Sequence, residues 1–339
     1  MMDVTGEEAP TREFYLSTLD PPDIRAARLV ASAALDSGMA PSHFIDTVLR
    51  PAQVEVGRRW HNTEWTVAQE HAATAIADAV LALISLRTPR GERAQASIVS
   101  GCVEGEWHTM PARMLGASLV ACGHDVTFLG PSLPATQFAR SLNDIQPIAA
   151  LLSCTNPINL PAARRTIEVA HQAGVSVIIG GRALDAGGVR AISLGADAWA
   201  TNAAGAASIL ASWDISRPAQ ARAADLCPEG AELEMPQPGL VADCLDELLH
   251  RQPGLVEMTE TQLERTREDI VFILQFCSAA LITRDHTVLD EFTVWLRDLL
   301  AVRGVPASTI RTSYECIAAV LGGGFPKVTT MLAAAATLT

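Results

Sequence analysis

The sequence predicts an α/β domain between two all-helical segments. Three observations predict it. Apolar residues recur at helical spacing over residues 22–86. Between residues 95 and 212, five short β-rich runs alternate with helical stretches. From about residue 240 onward the helical period returns. A chain of 339 residues is long enough for two or three modules, each with its own core.

Taken in order, residues 1–21 read as a flexible lead-in and 22–90 as a helical-bundle cap. Asp23 to Ser37 carries a helical stripe that stops near Gly38. Ser42 is positioned to cap a second helix burying Phe44, Ile45, Val48, Leu49 and Val56. A loop from Trp60 to Trp65 follows, and Thr66 with Gln69 makes a capping box for a third helix. Residues 91–213 form the α/β domain. Its strands are expected at 96–100, 125–129, 148–153, 175–180 and 198–201. Helices are expected at 111–122, 134–144, 161–173 and 187–194. Strand–helix alternation of this length predicts a flavodoxin-like (Rossmann-type) five-stranded parallel sheet in the order 2-1-3-4-5, with ligands beyond the carboxyl ends of the strands. Residues 214–239, rich in proline, read as a linker. Residues 240–339 read as a helical domain, with a capping box at Thr261 and Glu264. Its stripes run through Ile270 and Cys277, through Val288, Phe292 and Trp295, and through Ile310 and Tyr314.

Composition narrows the function. There are 25 Lys and Arg against 38 Asp and Glu, a formal charge of −13, so the chain lacks the basic face that direct nucleic-acid binding needs. The N-terminus has no signal-peptide pattern, and no uninterrupted apolar run reaches membrane-spanning length, so a cytoplasmic protein without a membrane contact is expected. The seven cysteines are dispersed, with no CxxC pair, as in a reduced protein without structural zinc.

Three loops at the ligand end of the sheet carry distinctive residues. The loop after the first strand holds His108, with Glu106 two residues before it. A carboxylate beside an imidazole accepts one ring N–H and fixes the tautomer, which supports a metal-ligating histidine. Pro111 then starts a helix. The loop after the third strand begins Ser153-Cys154-Thr155-Asn156, with small hydroxyl and amide side chains able to hydrogen-bond a buried polar ligand. Gly180 and Gly181 after the fourth strand leave backbone open to close approach. In the bundle, Trp60 and His61 sit in the loop, and Glu70 and His71 in the first turn of the next helix. Singly, each also reads as an ordinary surface histidine, turn glycine, packing tryptophan or helix-dipole carboxylate.

Together these residues resemble the cobalamin-binding module shared by methionine synthase, corrinoid methyltransferase proteins and CarH-type cobalamin photoreceptors. That pattern is Asp-x-His-x-x-Gly, Ser-x-Leu or Ser-x-Thr, then Gly-Gly. Here His108, Ser153, Thr155, Gly180 and Gly181 match, while Glu106 replaces Asp and Pro111 replaces Gly. The resemblance implies a base-off cobalamin, its tail buried beside Ser153 and Gly180–Gly181, with His108 as lower axial ligand of the cobalt. CarH-type receptors carry Trp-x9-Glu-His-His over the upper face of adenosylcobalamin. Here nine residues separate Trp60 from Glu70-His71, and Ala72 stands where the last His would be. By this likeness Trp60 covers the adenosyl group, Glu70 hydrogen-bonds it, and His61 is placed to ligate cobalt after photolysis.

The C-terminal helices resemble the domain that follows the cobalamin module in photocobilins, which hold biliverdin as a second chromophore. Trp295, Phe292, Phe276 and Tyr314 would wall such a pocket. Arg284, Arg297, Arg303, Arg311 and His286 would meet its propionates, and Cys277 or Cys316 is available for covalent attachment. The resemblance implies a light-sensing signalling protein, not an enzyme, that binds adenosylcobalamin and biliverdin. Light-dependent homo-oligomer assembly would drive an unknown downstream partner. The alternative is a corrinoid shuttle protein of a methyltransferase system.

Overall fold

The computed structural model describes residues 8–88, 95–213, 227–252 and 258–339. The cap contains α1 (Glu8–Ser17), α2 (Ile24–Asp36), α3 (Pro41–Phe44), α4 (Arg50–His61) and α5 (Val67–Arg87). The lead-in is thus a helix from Glu8 on, because Tyr15 is fully buried and meets the Phe44 ring edge-on at 6.3 Å. Asp23 caps α2 by accepting the Ala26 N–H, and Thr66 and Gln69 form the expected capping box on α5. Ser42 is no cap. Pro41 opens α3 instead, as suits a residue with no N–H to leave unpaired. A π-helical turn, Ile45–Leu49, joins α3 to α4. Pro51 explains it, since a proline there offers no N–H to the carbonyl four residues back.

Helix α5 is, among the described residues, the one helix long and apolar enough by length and composition to cross a membrane. Its apolar run is interrupted by Gln69, Glu70, His71 and Asp78, in keeping with the expectation that no uninterrupted apolar run is that long. One stripe of α5 (Ala73, Ile76, Ala77, Val80 and Ile84) is buried in the bundle core instead.

The sheet contains β1 (Gln95–Cys102), β2 (His124–Phe128), β3 (Ala149–Ser153), β4 (Ser176–Gly180) and β5 (Ala198–Trp199), all parallel, in the expected order β2-β1-β3-β4-β5. The connections are α6 (Thr109–Ala121), α7 (Ala135–Ile145), α8 (Leu160–Gln172) and α9 (Val189–Leu194), and α10 (Ala203–Ser212) follows β5. Alternation sorts the strands' residues. Ile98, Ala149, Leu151 and Ile178 face the side covered by α6 and α10, while Val99, Ala150, Leu152, Val177 and Ile179 face α7, α8 and α9.

The C-terminal helices are α11 (Pro228–Leu233), α12 (Pro238–Arg251), α13 (Glu260–Thr283), α14 (Thr287–Val302), α15 (Ser308–Leu321) and α16 (Pro326–Ala335). Residues 214–226 of the expected linker lie outside the described residues. Its second part is not a linker, because α11 docks on α13. Ser278 donates to the Gly230 carbonyl at 2.6 Å, and a Cβ on Gly230 would stand 3.1 Å from Leu281. The capping box of α13 is Thr259 with Gln262, two residues before the expected pair. Thr261 and Glu264 therefore fall inside the helix.

Two large cores result. The cap residues cluster with Met110, Met114 and Ala117 of α6. The C-terminal helices share one continuous core with the α7–α9 side of the sheet. Arg190 of α9 clamps that second junction. It is 1% exposed and donates to Asp285 and Glu291 at 2.8 Å, to Thr287 at 3.0 Å and to the Ala183 carbonyl at 3.0 Å.

Candidate functional site

The loop after β1 is organised around one buried carboxylate. Glu106 has no exposed surface. Its Oε1 accepts the His108 backbone N–H at 2.9 Å and lies 2.6 Å from His108 Nδ1. Its Oε2 accepts the N–H groups of Thr155 and Asn156 at 2.6 and 2.8 Å, and Asn159 Nδ2 reaches it at 3.4 Å. Burial alone would raise this pKa. The His108 hydrogen bond and the backbone N–H groups of Asn156, His108 and Thr155 outweigh it and hold the carboxyl down to about 2. Glu106 is therefore an anion that ties the β1 loop to the β3 loop.

The β2 loop joins the same knot. Ser132 donates its N–H to the Glu106 carbonyl at 2.9 Å, and its hydroxyl accepts the Gly105 N–H at 3.1 Å. Gly105 has φ +81°, and a Cβ there would lie 2.6 Å from Asn159 Oδ1. Sequence reasoning missed Asn159 and Ser132, and it read Asn156 as a side chain for the ligand whereas its backbone N–H serves Glu106. The two asparagines follow Ser153-Cys154-Thr155 directly or nearly so, but their donor groups include a backbone N–H that no residue type announces.

His108 is the N-cap residue of α6, and the helix starts at Thr109 rather than at Pro111. With Nδ1 held by Glu106, the ring presents Nε2 on its far side, and the side chain is 64% exposed. The Glu106 hydrogen bond raises the His108 pKa, opposed by partial burial, and the Glu70 charge adds to the rise. Glu70 lies on the first turn of α5. Glu70 also lies 2.5 Å from the Nδ1 of the exposed His71 and accepts from Thr74 at 3.2 Å.

Trp60 and His61 end helix α4, and are not in a loop as the sequence suggested. The turn beyond them is braced. Arg58 bonds both Glu55 and Glu64, and Arg59 lies 5.0 Å over the Trp65 ring. The His61 ring sits 6.2 Å from Trp295 of α14. Trp295 in turn lies 6.1 Å from Phe292, which stacks on Phe276 at 3.8 Å. The structure does not bring Trp295 and Arg297 together. Two residues apart on one helix, they point to different sides, and Arg297 donates to the Leu338 carbonyl at 2.9 Å. Tyr314 is buried on Thr293 at 2.7 Å, and Arg311 bonds Thr339. Arg284 and His286 line a separate cavity. Cys277 and Cys316 are both buried, and burial pushes both thiols up.

At the β3 loop, Ser153 is 6% exposed, and Thr155 Oγ1 is buried with no hydrogen-bond partner among the described residues. A buried hydroxyl without a partner costs free energy, which a polar ligand would recover. The glycine pair has another origin than ligand access alone. Gly181 has φ +119° and a Cβ there would meet the Cys154 carbonyl at 2.1 Å; one on Gly180 would meet the Ala200 carbonyl at 2.8 Å. Both positions require glycine for the chain's own packing. The donor set nevertheless fits a cobalamin: an imidazole oriented by a buried anion, an orphaned hydroxyl in the β3 loop, and a carboxylate-bearing helix opposite.

Two models described as B12 binding domain match residues 22–85 and 96–208. The chain is 31% identical over 152 residues to the HTH-type transcriptional repressor CarH of Myxococcus xanthus, covering 43% of this chain and 50% of that protein. The chain thus spans about half the length of that relative. It is also 31% identical over 138 residues to dimethylamine corrinoid protein 3 of Methanosarcina mazei, covering 39% of this chain and 81% of that one. Among solved structures, the monomethylamine corrinoid protein of Methanosarcina barkeri aligns with a TM-score of 0.52 at 16% identity. That match covers 60% of this chain and 98% of that one, a likeness of fold.

Proposed function

The chain belongs to the family of B12-binding proteins, and from that premise we propose that it is a light-sensing signalling protein holding adenosylcobalamin between cap and sheet. Bound adenosylcobalamin supplies a light-sensitive cobalt–carbon bond. The chain's own residues divide the work around it. His108 would hold the cobalt through Nε2, with Glu106 fixing its tautomer and orientation. Ser153 and Thr155 offer hydroxyls to the buried tail. From the cap, Trp60 would cover the adenosyl group and Glu70 would accept hydrogen bonds from it, with His71 beside Glu70. His61, at the end of α4, would be available to the cobalt in place of that group.

The observation that carries this reading is the 2.6 Å contact from the buried Glu106 carboxylate to His108 Nδ1, which leaves Nε2 of a largely exposed ring open to a guest. Similarity to a transcriptional repressor supports a regulatory role. Loss of the adenosyl group would remove a partner from Trp60 and Glu70, shifting the cap and with it the self-association of the chain. Biliverdin, the second chromophore of this reading, would rest against Trp295 and the Phe292–Phe276 stack beside His61. The protein would act by conformation rather than as an enzyme, in the cytoplasm.

Absorption spectra and size of the cobalamin-loaded chain before and after green light test the proposal. Unchanged cobalamin bands would sink the photochemical reading. The likeness to a dimethylamine corrinoid protein favours one other reading, a corrinoid shuttle. Methyl transfer from a partner methyltransferase onto the loaded chain, with no response to light, would establish it.

A further inference from the structure

A cavity of about 1000 Å³ lies among the C-terminal helices, between the start of α11, the end of α13, the start of α14 and one side of α16. It shares no lining residue with the Glu106–His108 site, and the B12-binding matches end before it, at residue 208. Leu281, Met331, Ala334 and Leu338 give it apolar walls. No Phe, Tyr or Trp lines it among the described residues, so it offers aliphatic surface without a stacking platform for a planar ring. Its charged residues are Arg284, Lys327, His286 and Asp290, and Asp290 is engaged with His286 at 3.0 Å. Arg284 and Lys327 are exposed, so their positive charge sits where the apolar walls meet water.

An aliphatic interior under a cationic mouth is the pattern that selects an amphipathic anion. The apolar body gains from leaving water, and the head group keeps its solvation while meeting opposite charge. The volume is at the upper end of small-molecule sites. We propose that this cavity binds a single-chain aliphatic carboxylate of fatty-acid type, with its head group at Lys327 and Arg284 and its chain along Leu281, Met331 and Ala334.

Position gives the site a route to the rest of the molecule. Arg284 and His286 flank Asp285, the carboxylate that holds Arg190. Arg190 also holds the Ala183 carbonyl, two residues beyond Gly181. A ligand at the cavity mouth therefore sits beside the clamp that joins the C-terminal helices to the β4 loop.

The test uses the full chain as purified, with cis-parinarate as fluorescent probe and oleate as competitor. The readout is probe fluorescence, so it does not depend on cobalamin chemistry or on any response to light. Saturable binding of one probe per chain is expected, displaced by oleate at least 10-fold better than by oleyl alcohol. Ala334→Trp, which fills the cavity from an exposed wall, should weaken binding at least 10-fold, and Lys327→Glu several-fold. Both should keep the wild-type circular dichroism spectrum and urea midpoint, which shows that the fold is intact. No saturable binding, equal affinity in Ala334→Trp, or equal competition by oleyl alcohol would overturn the proposal. So would displacement by biliverdin, since that would make the cavity a tetrapyrrole site.

Discussion

Glu106 and His108 share one short contact, 2.6 Å from carboxylate to Nδ1, in which the acid is fully buried and the imidazole largely exposed. The buried partner anchors and the exposed one acts. The longer arm of glutamate, where the family pattern has aspartate, lets one side chain reach both His108 and the N–H groups of the β3 loop. Glu106→Gln should keep much of the loop contact but lose the anion. Cobalamin affinity, by equilibrium dialysis, should fall roughly 10–100-fold, the range seen when a carboxylate behind a metal-binding histidine is removed. An unchanged affinity would remove Glu106 from the site.

Gly181→Ala separates folding from binding. The added Cβ collides with the Cys154 backbone at a φ of +119°. The ligand-free chain should lose on the order of 1–3 kcal/mol in urea unfolding. If the variant is as stable as wild type and only cobalamin binding suffers, the glycine serves the ligand and not the turn.

Arg190→Met tests the clamp. It leaves Asp285 and the Ala183 carbonyl without their partner inside the junction, and breaking a buried pair costs about 3–5 kcal/mol. The Glu291 arm is 61% exposed and adds little. Circular dichroism melting should show the C-terminal helices destabilised. A loss below about 1 kcal/mol would mean the apolar junction suffices on its own.

The same clamp sets an acid response. Burial would raise the Asp285 pKa, but Thr287 and Arg190 together bring it below its ordinary 3.8. A depressed carboxylate contributes stability that is complete above the unfolded-state pKa and is lost as pH falls through the folded one. Stability should therefore hold from neutral pH down to about 4 and drop below that. In Asp285→Asn the drop should be shallower, measured by urea midpoints at pH 3 and pH 6. Equal slopes would exclude Asp285 as a contributor.

Trp295→Ala should lower biliverdin uptake, followed by its red absorption band, and leave cobalamin binding unaffected. Full biliverdin uptake in that variant would move the second chromophore elsewhere.

Much of this was legible in the sequence because it rests on periodicity. Strand–helix alternation fixed the sheet order, and Thr66-x-x-Gln69 fixed the start of α5. His108 and Glu106 were legible because residue type and spacing carry their chemistry. What stayed hidden depends on partners distant in the chain. Tyr15 becomes core only because Phe44 comes to it, so the first helix looked like a loose lead-in. Prolines near residue 228 read as a linker although a short helix hides between them. Nothing in the sequence marks Arg190, since its partners lie about a hundred residues away. The meeting of His61 with Trp295 is likewise a matter of tertiary packing.

One helix belongs to two interiors. Met110, Met114 and Ala117 of α6 complete the cap, while Leu119 of the same helix completes the sheet. A protein emerging from the ribosome therefore cannot close its first bundle until α6 has been made. An excised fragment ending at residue 88 would lack part of its own interior. His108 is the N-cap residue of that shared helix, so its imidazole is carried by the one element that both interiors hold.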